Sequence, residues 1–248
     1  MDNIICDIDG VVLHDNSIIP GADKFVSKLL EKKYPLLFLT NYPSQTPADL
    51  QNRLRTAGLD IPQEMFYTSS MATAAFLKKQ TGKKAYVIGD GALTHELYSI
   101  GFAMTDVDPE YVIVGETQAY HWNMIRKASS FIMQGARFIA TNPDVAGPKG
   151  YPGCGALCAP IERITGIKPF YIGKPSAWMM RAALNSIGGH SENTVIIGDN
   201  MRTDILAGIQ AGMKTILVLT GVSQRDDLDK FPWRPTWIFD SAKDIDIL

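Results

Sequence analysis

Two aspartates stand one residue apart near the start of the chain, in Asp7-Ile8-Asp9-Gly10, directly after the apolar run Asn3 to Cys6. Alternate residues of a strand share a face, so a strand running from Asn3 to Ile8 would present both carboxylates at its carboxyl end. Two carboxylates held together away from water are costly unless something pairs with them. A hard cation such as Mg2+, which takes a few carboxylates, waters and substrate phosphate, would resolve that cost. The plainer alternative is a loop with two solvated aspartates. A second acidic pair follows the run Thr194 to Ile197, in Gly198-Asp199-Asn200-Met201-Arg202-Thr203-Asp204. A third run ends in Thr40-Asn41, a hydroxyl and an amide suited to holding phosphate oxygens. In Gly173-Lys174-Pro175-Ser176, Pro175 is expected at the first position of a helix that runs from Ser176 to Ile187. Lysine at a helix amino end opposes the dipole, so an anion beside Lys174 is expected.

The elements that must hold these residues are legible as short apolar runs: Asn3 to Ile8, Leu36 to Leu39, Ala85 to Ile88, Tyr111 to Val114, Phe138 to Ala140, Thr194 to Ile197 and Thr215 to Leu219. They are bounded by turn-forming residues, and most read as buried strands. Between them, apolar residues recur at three- and four-residue spacing, as in Phe25, Leu29 and Leu30, which reads as helix. Strand alternating with helix predicts an α/β fold, a doubly wound and mostly parallel sheet covered on both faces. Ligands of such sheets sit at the carboxyl ends of the strands, where the motifs fall. The segment Asn142 to Gly155 is too long for a simple connection, and long ordered loops are usually functional.

Asp7-x-Asp9, Thr40-Asn41, Lys174 and Gly198-Asp199-x-x-x-x-Asp204 occur in the order found in the haloacid dehalogenase-like phosphohydrolases, which the chain resembles. The wide separation of Thr40 from Lys174 resembles the class in which a C2-type α/β cap is inserted between the second and third motifs. The stretches Cys6 to Gly10, Leu39 to Thr46, Cys154 to Cys158 and Gly173 to Ser176 resemble those of the bacterial ribonucleotide monophosphatases of that family. The resemblance implies a discontinuous core of residues 1–76 and 172–248 with a cap of residues 77–171, hinged near Ala75 to Gly82 and Phe170 to Gly173. It implies that Asp7 attacks phosphorus and Asp9 acts as general acid and base. Related ATPases that preserve their phosphoenzyme carry Thr at the second position, so Asp9 favours turnover. Mg2+ would be held by Asp7, the backbone carbonyl of Asp9 and Asp199, with Asp204 orienting Lys174 or a metal-bound water. Thr40, Asn41 and Lys174 would hold the phosphoryl oxygens. The implied substrates are ribonucleoside 5′-monophosphates such as UMP, with Asn142, Asp144 and Tyr151 expected to contact the part of the substrate beyond the phosphate.

Composition limits the alternatives. Lys and Arg number 24 against 26 Asp and Glu, a net charge of −2, so no basic surplus exists to neutralise a nucleic-acid polymer. No apolar run approaches the roughly 20 residues that span a bilayer, and no export signal is visible, so a cytoplasmic protein without a membrane partner is expected. Homo-oligomerisation is left open. Gly89-Asp90-Gly91 lacks the third glycine of a dinucleotide fingerprint because Thr94 stands there. Gly173-Lys174 fails as a Walker loop because Lys168 replaces its first glycine and Pro175 removes an amide. The histidines have no metal-ligand spacing, although His14 is near enough in sequence to line a pocket mouth. Cys154 and Cys158 are spaced as buried helix residues rather than as a redox pair. A sugar-phosphate or pyridoxal-phosphate phosphatase would share every catalytic residue. A phosphate-responsive regulator without turnover, or transfer to another acceptor, remains as a rival of a different kind.

Overall fold

The computed structural model describes residues 2–147 and 150–247. Within the expected loop from Asn142 to Gly155, Pro148 and Lys149 therefore lie outside the described residues. The chain forms two compact units, one of residues 1–40, 47–67 and 174–248, the other of residues 41–46 and 68–173. Helix α3 falls in the second unit, whereas the sequence reading kept residues up to 76 with the first.

The first unit holds β1 (Asn3–Cys6), a hairpin of β2 (Leu13–His14) and β3 (Ser17–Ile18), α1 (Ala22–Glu31), β4 (Leu36–Thr40), α2 (Pro47–Ala57) and β5 (Phe66–Thr68). The second holds α3 (Ser69–Lys78), β6 (Lys84–Ile88), α4 (Gly91–Ser99), β7 (Ala103–Met104), β8 (Tyr111–Val114), α5 (Trp122–Met133), β9 (Arg137–Ala140), α6 (Cys154–Thr165) and β10 (Phe170–Tyr171). The chain then returns to the first with α7 (Ala177–Ser186), β11 (Thr194–Gly198), α8 (Leu206–Gln210), β12 (Lys214–Val218) and β13 (Trp237–Phe239).

The first sheet has the order β13-β12-β11-β1-β4-β5, and the pairings from β13 through to β4 are parallel. From β1 the chain winds outward through β4 to β5, then returns to the other side of β1 and winds outward again. Such a reversal opens a crevice at the carboxyl ends of the strands flanking it, here β1 and β11. Both strands are buried along their whole length, as expected of a sheet covered on both faces. Ile4, Phe38, Leu54, Ile197 and Val218 share one core. At roughly 1.5–3 kcal/mol for each large apolar side chain buried, this core fixes the strand ends to which the motif residues are attached. The second sheet, β10-β9-β8-β6-β7, is also parallel throughout and reverses between β6 and β8. Cys154 and Cys158 are buried in its core beside Val114 and Leu157. Among the described residues no helix is long and apolar enough to cross a membrane.

Candidate active site

β1 ends one residue before the first aspartate. The Asp7 N–H still reaches the Ile197 carbonyl at 2.9 Å, but the next carbonyl, that of Ile8, accepts from Val12 and Leu13 at 2.9 and 3.0 Å and curls the chain. Gly10 completes the curl at φ 82°, in the left-handed region that glycine enters without penalty. The expected strand to Ile8 is therefore too long, and Asp7 and Asp9 do not share a strand face. Instead they have separate partners. Asp7 Oδ1 accepts from the Ile8 N–H at 2.9 Å and faces Lys174 Nζ at 3.0 Å. Asp9, on the more exposed side of the curl, accepts from Arg53 of α2 at 2.6 Å.

Lys174 is 2% exposed and its ammonium meets three acceptors: Asp204 Oδ1 at 2.6 Å, Asp7 Oδ1 at 3.0 Å and the Leu39 carbonyl at 3.1 Å. An ammonium has three donors and no acceptor, so this arrangement satisfies it. Burial opposes its charge, but Asp204 first and Asp7 next outweigh burial and hold its pKa above the ordinary lysine value. The anion expected beside Lys174 is thus this pair of carboxylates. The expected helix start needs correction, however: Ser176 is the cap, accepting from the Trp178 N–H at 3.3 Å, and α7 begins at Ala177 with Pro175 outside it. A capping hydroxyl satisfies one of the unpaired N–H groups at the helix start, which Pro175 cannot do.

Asp199 directly follows β11, and after Asn200 the five residues Met201 to Ile205 form a wide π-helical turn that brings Asp204 back toward the strand end. The Asn200 N–H and Thr203 hydroxyl donate to Asp204 Oδ2 at 3.2 and 3.3 Å, leaving Oδ1 for Lys174. Asp199 Oδ2 accepts from the Val222 N–H at 2.6 Å, and the Ser223 N–H reaches the Asp199 carbonyl at 3.0 Å. The Ser223 hydroxyl accepts from the Met201 N–H at 2.9 Å, tying the same turn from the other side. A Cβ at Gly10 or Gly221 would overlap the Asp199 carboxylate, and one at Gly198 would overlap Asp204. Glycine at these positions lets the backbone close around the acids.

Asp7, Asp199 and Asp204 each offer a carboxylate oxygen, and these oxygens lie within 4.8 Å of one another. Burial, then Asp204, pushes the Asp199 carboxyl up to about 7. Burial likewise raises Asp7, with Lys174 opposing and the two other aspartates reinforcing. Three carboxylates against one ammonium leave a local surplus of negative charge that a dication would neutralise. The donors are hard oxygens, which suit Mg2+ or Ca2+ and not a soft metal. The residues therefore fit a hard divalent cation.

Thr40, the last residue of β4, is buried in the first unit. The other expected substrate contacts fall in the second unit. Asn142 is wholly buried; its amide donates to the Asn41 carbonyl at 2.9 Å, and its Oδ1 accepts from the Asp144 N–H at 3.0 Å. Asp144 Oδ2 in turn accepts from the Asn41 amide at 3.0 Å, whereas Tyr151 is exposed. Asn142 thus makes the side-chain turn that its Asn-Pro-Asp context suggested, and it also ties the loop to residue 41. Four residues of the two clusters were not found from the sequence. Arg53, Val222 and Ser223 sit in stretches with no local signature. Glu116, at the carboxyl end of β8, is pushed up to about 7 by burial against the opposing Asn142 hydrogen bond. The signal available for Val222, Ser223 and Glu116 was position, since each lies just beyond a buried strand.

Comparison with known proteins adds independent findings. A haloacid dehalogenase-like hydrolase family model matches residues 4–103, and a HAD-hydrolase-like model matches residues 171–245. The chain is 62% identical to the ribonucleotide monophosphatase NagD of Escherichia coli K12, over 99% of this chain and 98% of that protein. It is 46% identical to a dihydroxyacetone phosphatase of Corynebacterium glutamicum, over 97% and 89% of the respective lengths. The solved structure of E. coli NagD matches with a TM-score of 0.97, covering 100% of this chain and 99% of that one.

Proposed function

This chain belongs to the haloacid dehalogenase-like hydrolases and is a phosphatase, and on that premise we propose that it hydrolyses small phosphomonoesters through an aspartyl-phosphate on Asp7. The observation that carries the reading is the buried group of Asp7, Lys174, Asp199 and Asp204 at the strand ends flanking the sheet reversal, with Asp9 two residues from Asp7. Asp7 Oδ1 is anchored by the Ile8 N–H and Lys174, so the other oxygen attacks phosphorus. Asp9 gives a proton to the leaving alcohol as its bond to phosphorus breaks. It then takes a proton from the water that attacks the phosphoenzyme, and Asp7 is regenerated as a carboxylate. Thr40, at the end of β4, holds phosphoryl oxygens together with Lys174. Asp204 keeps Lys174 in place and ionised. Asp7, Asp199 and the Asp9 carbonyl would hold Mg2+, which supplies charge neutralisation to the transferring group.

Ribonucleoside 5′-monophosphates such as UMP are the proposed substrates, supported by 62% identity to a ribonucleotide monophosphatase. Short sugar phosphates are the second reading, supported by the 46% identical dihydroxyacetone phosphatase. The second unit is assigned the part of a cap that selects the leaving group, with Asp144 and exposed Tyr151 the first residues to replace. Phosphate release from UMP, dihydroxyacetone phosphate and pyridoxal phosphate, with Mg2+ and with EDTA, ranks the substrates. Alanine at Asp144 or Tyr151 should alter that ranking; an unchanged ranking removes both from the selecting set. Asp7→Asn should abolish release and phosphoenzyme formation, and equal rates for parent and variant would sink the covalent mechanism. A parent that releases no phosphate from any ester would favour the regulatory reading.

A further inference from the structure

Asp9 is held by an arginine that no motif predicts, and the hold is uneven. Arg53 Nη2 donates to Asp9 Oδ1 at 2.6 Å, and Nη1 donates to Oδ2 at 3.4 Å. The guanidinium is itself fixed from the far side. Its Nε donates to Asn16 Oδ1 at 3.3 Å, and Nη2 also donates to the Asp15 carbonyl. Asp15 and Asn16 form the tip of the β2–β3 hairpin, where Asp15 takes φ 54°, a left-handed conformation that Asp tolerates better than most residues. Arg53 is 14% exposed, against 37% for Asp9, so the anchor is the more buried partner and the acid reaches solvent.

We propose that Arg53 positions Asp9 for proton transfer by gripping its carboxyl group closely at Oδ1 and loosely at Oδ2, so that Oδ2 is the oxygen that exchanges the proton. The inference rests on the reading of Asp9 as general acid and base. A guanidinium has five donors and no acceptor, so it cannot pair with a protonated oxygen through that proton. Oδ1, gripped at 2.6 Å, is the oxygen held in place, and Oδ2, held at 3.4 Å, is the one more readily released to take part in transfer. In the first step the Oδ2 proton passes to the ester oxygen as the bond from that oxygen to phosphorus breaks and the bond from Asp7 to phosphorus forms. The Asp9 carboxylate so formed lies against the Arg53 cation as a charge-assisted pair. In the second step Oδ2 takes a proton from the attacking water as the Asp7 bond to phosphorus breaks. Arg53 touches neither phosphorus nor the leaving group and is a positioning residue. Its planar fork and its tie to the hairpin tip are what a lysine cannot reproduce.

The test compares two esters that differ in their need for an acid. An alkyl phosphate expels a strongly basic alkoxide and needs the proton, whereas p-nitrophenyl phosphate expels a weakly basic phenolate and does not. The measured quantity is kcat/KM, which ends at formation of the phosphoenzyme and excludes the water step. Asp9→Asn should lose at least about 100-fold more on the alkyl ester than on the aryl ester. Arg53→Met should show the same bias at about tenfold or more, with kcat/KM on the aryl ester close to the parent, which also reports a folded protein. Arg53→Lys should recover part of the alkyl rate, and Asn16→Ala should show a weaker loss of the same bias, so the test survives if Arg53→Met fails to fold. If Asp9→Asn shows the bias and the Arg53 and Asn16 variants lose equally on both esters or not at all, the positioning role is overturned and Asp9 keeps its assignment. If Asp9→Asn itself loses equally on both, the acid assignment falls and this inference with it.

Discussion

Replacing Asp199 by Asn should make the metal-free protein more stable while abolishing its activity. Asp199 is 4% exposed, and burial and Asp204 raise its carboxyl from 3.8 to about 7. A carboxyl whose folded pKa exceeds its unfolded value binds more protons folded than unfolded between the two, so stability falls as pH rises through that window. The loss begins near pH 4 and is complete above pH 7, the window set by those two values. At about 1.4 kcal/mol per pH unit, the whole rise amounts to on the order of 4 kcal/mol at pH 8. Asparagine cannot titrate, keeps the shape, and offers Oδ1 to the Val222 N–H that Asp199 accepts at 2.6 Å. A neutral acceptor holds that N–H less well than a carboxylate does, so the expected gain is about 2–4 kcal/mol at pH 8 in EDTA. For a chain of this size that corresponds to roughly 5–15 °C in Tm. The gain should shrink to about 1–2 kcal/mol at pH 5, because the folded parent is then largely protonated at this position. The assay is thermal or urea unfolding of both proteins in EDTA at pH 5 and pH 8. If the Asn variant unfolds at or below the parent's temperature at pH 8, the account of Asp199 as an acid buried at a cost is wrong.

Three further outcomes follow from the same cluster. Lys174→Met leaves Asp7 and Asp204 without the ammonium at 3.0 and 2.6 Å, and should cost about 3–5 kcal/mol at pH 8 in EDTA. An unchanged urea midpoint would contradict the pairing. Gly221→Ala drives a Cβ into the Asp199 carboxylate, and should weaken Mg2+ binding about 10–100-fold as measured by titration calorimetry. Parent-like affinity would mean that Asp199 does not hold the ion. Mg2+ should raise the Tm of the parent more at pH 8 than at pH 5, because ligands must be deprotonated to bind and both Asp7 and Asp199 are raised. A shift independent of pH would argue that the ion binds elsewhere.

The layout of the first sheet was legible because its strands are buried on both faces, and such strands are written as short apolar runs ended by turn residues. β8 falls where the run Tyr111 to Val114 put it, β4, β6, β9 and β11 differ by one residue at an end, and β12 is shifted by one residue at both ends. The strands not foreseen, β2, β3, β5, β7, β10 and β13, have two or three residues and carry too little apolar pattern to stand out. Asp7, Thr40, Lys174 and Asp199 could be found because each is attached to the end of a legible element. The details of the site were not legible, because its contacts join residues far apart in the chain. Lys174 meets a carbonyl 135 residues away, and the Thr220 hydroxyl donates to the Gly10 carbonyl across 210. Local sequence determined which side chains stand at the strand ends. Only tertiary structure decided that Lys174 would be shared between Asp7 and Asp204, that Gly221 and Val222 would close on Asp199, and that Arg53 would grip Asp9. Those choices depend on which strand ends, helices and hairpin tips the packed core brings within hydrogen-bonding distance, a property of the whole chain that no short stretch of it encodes.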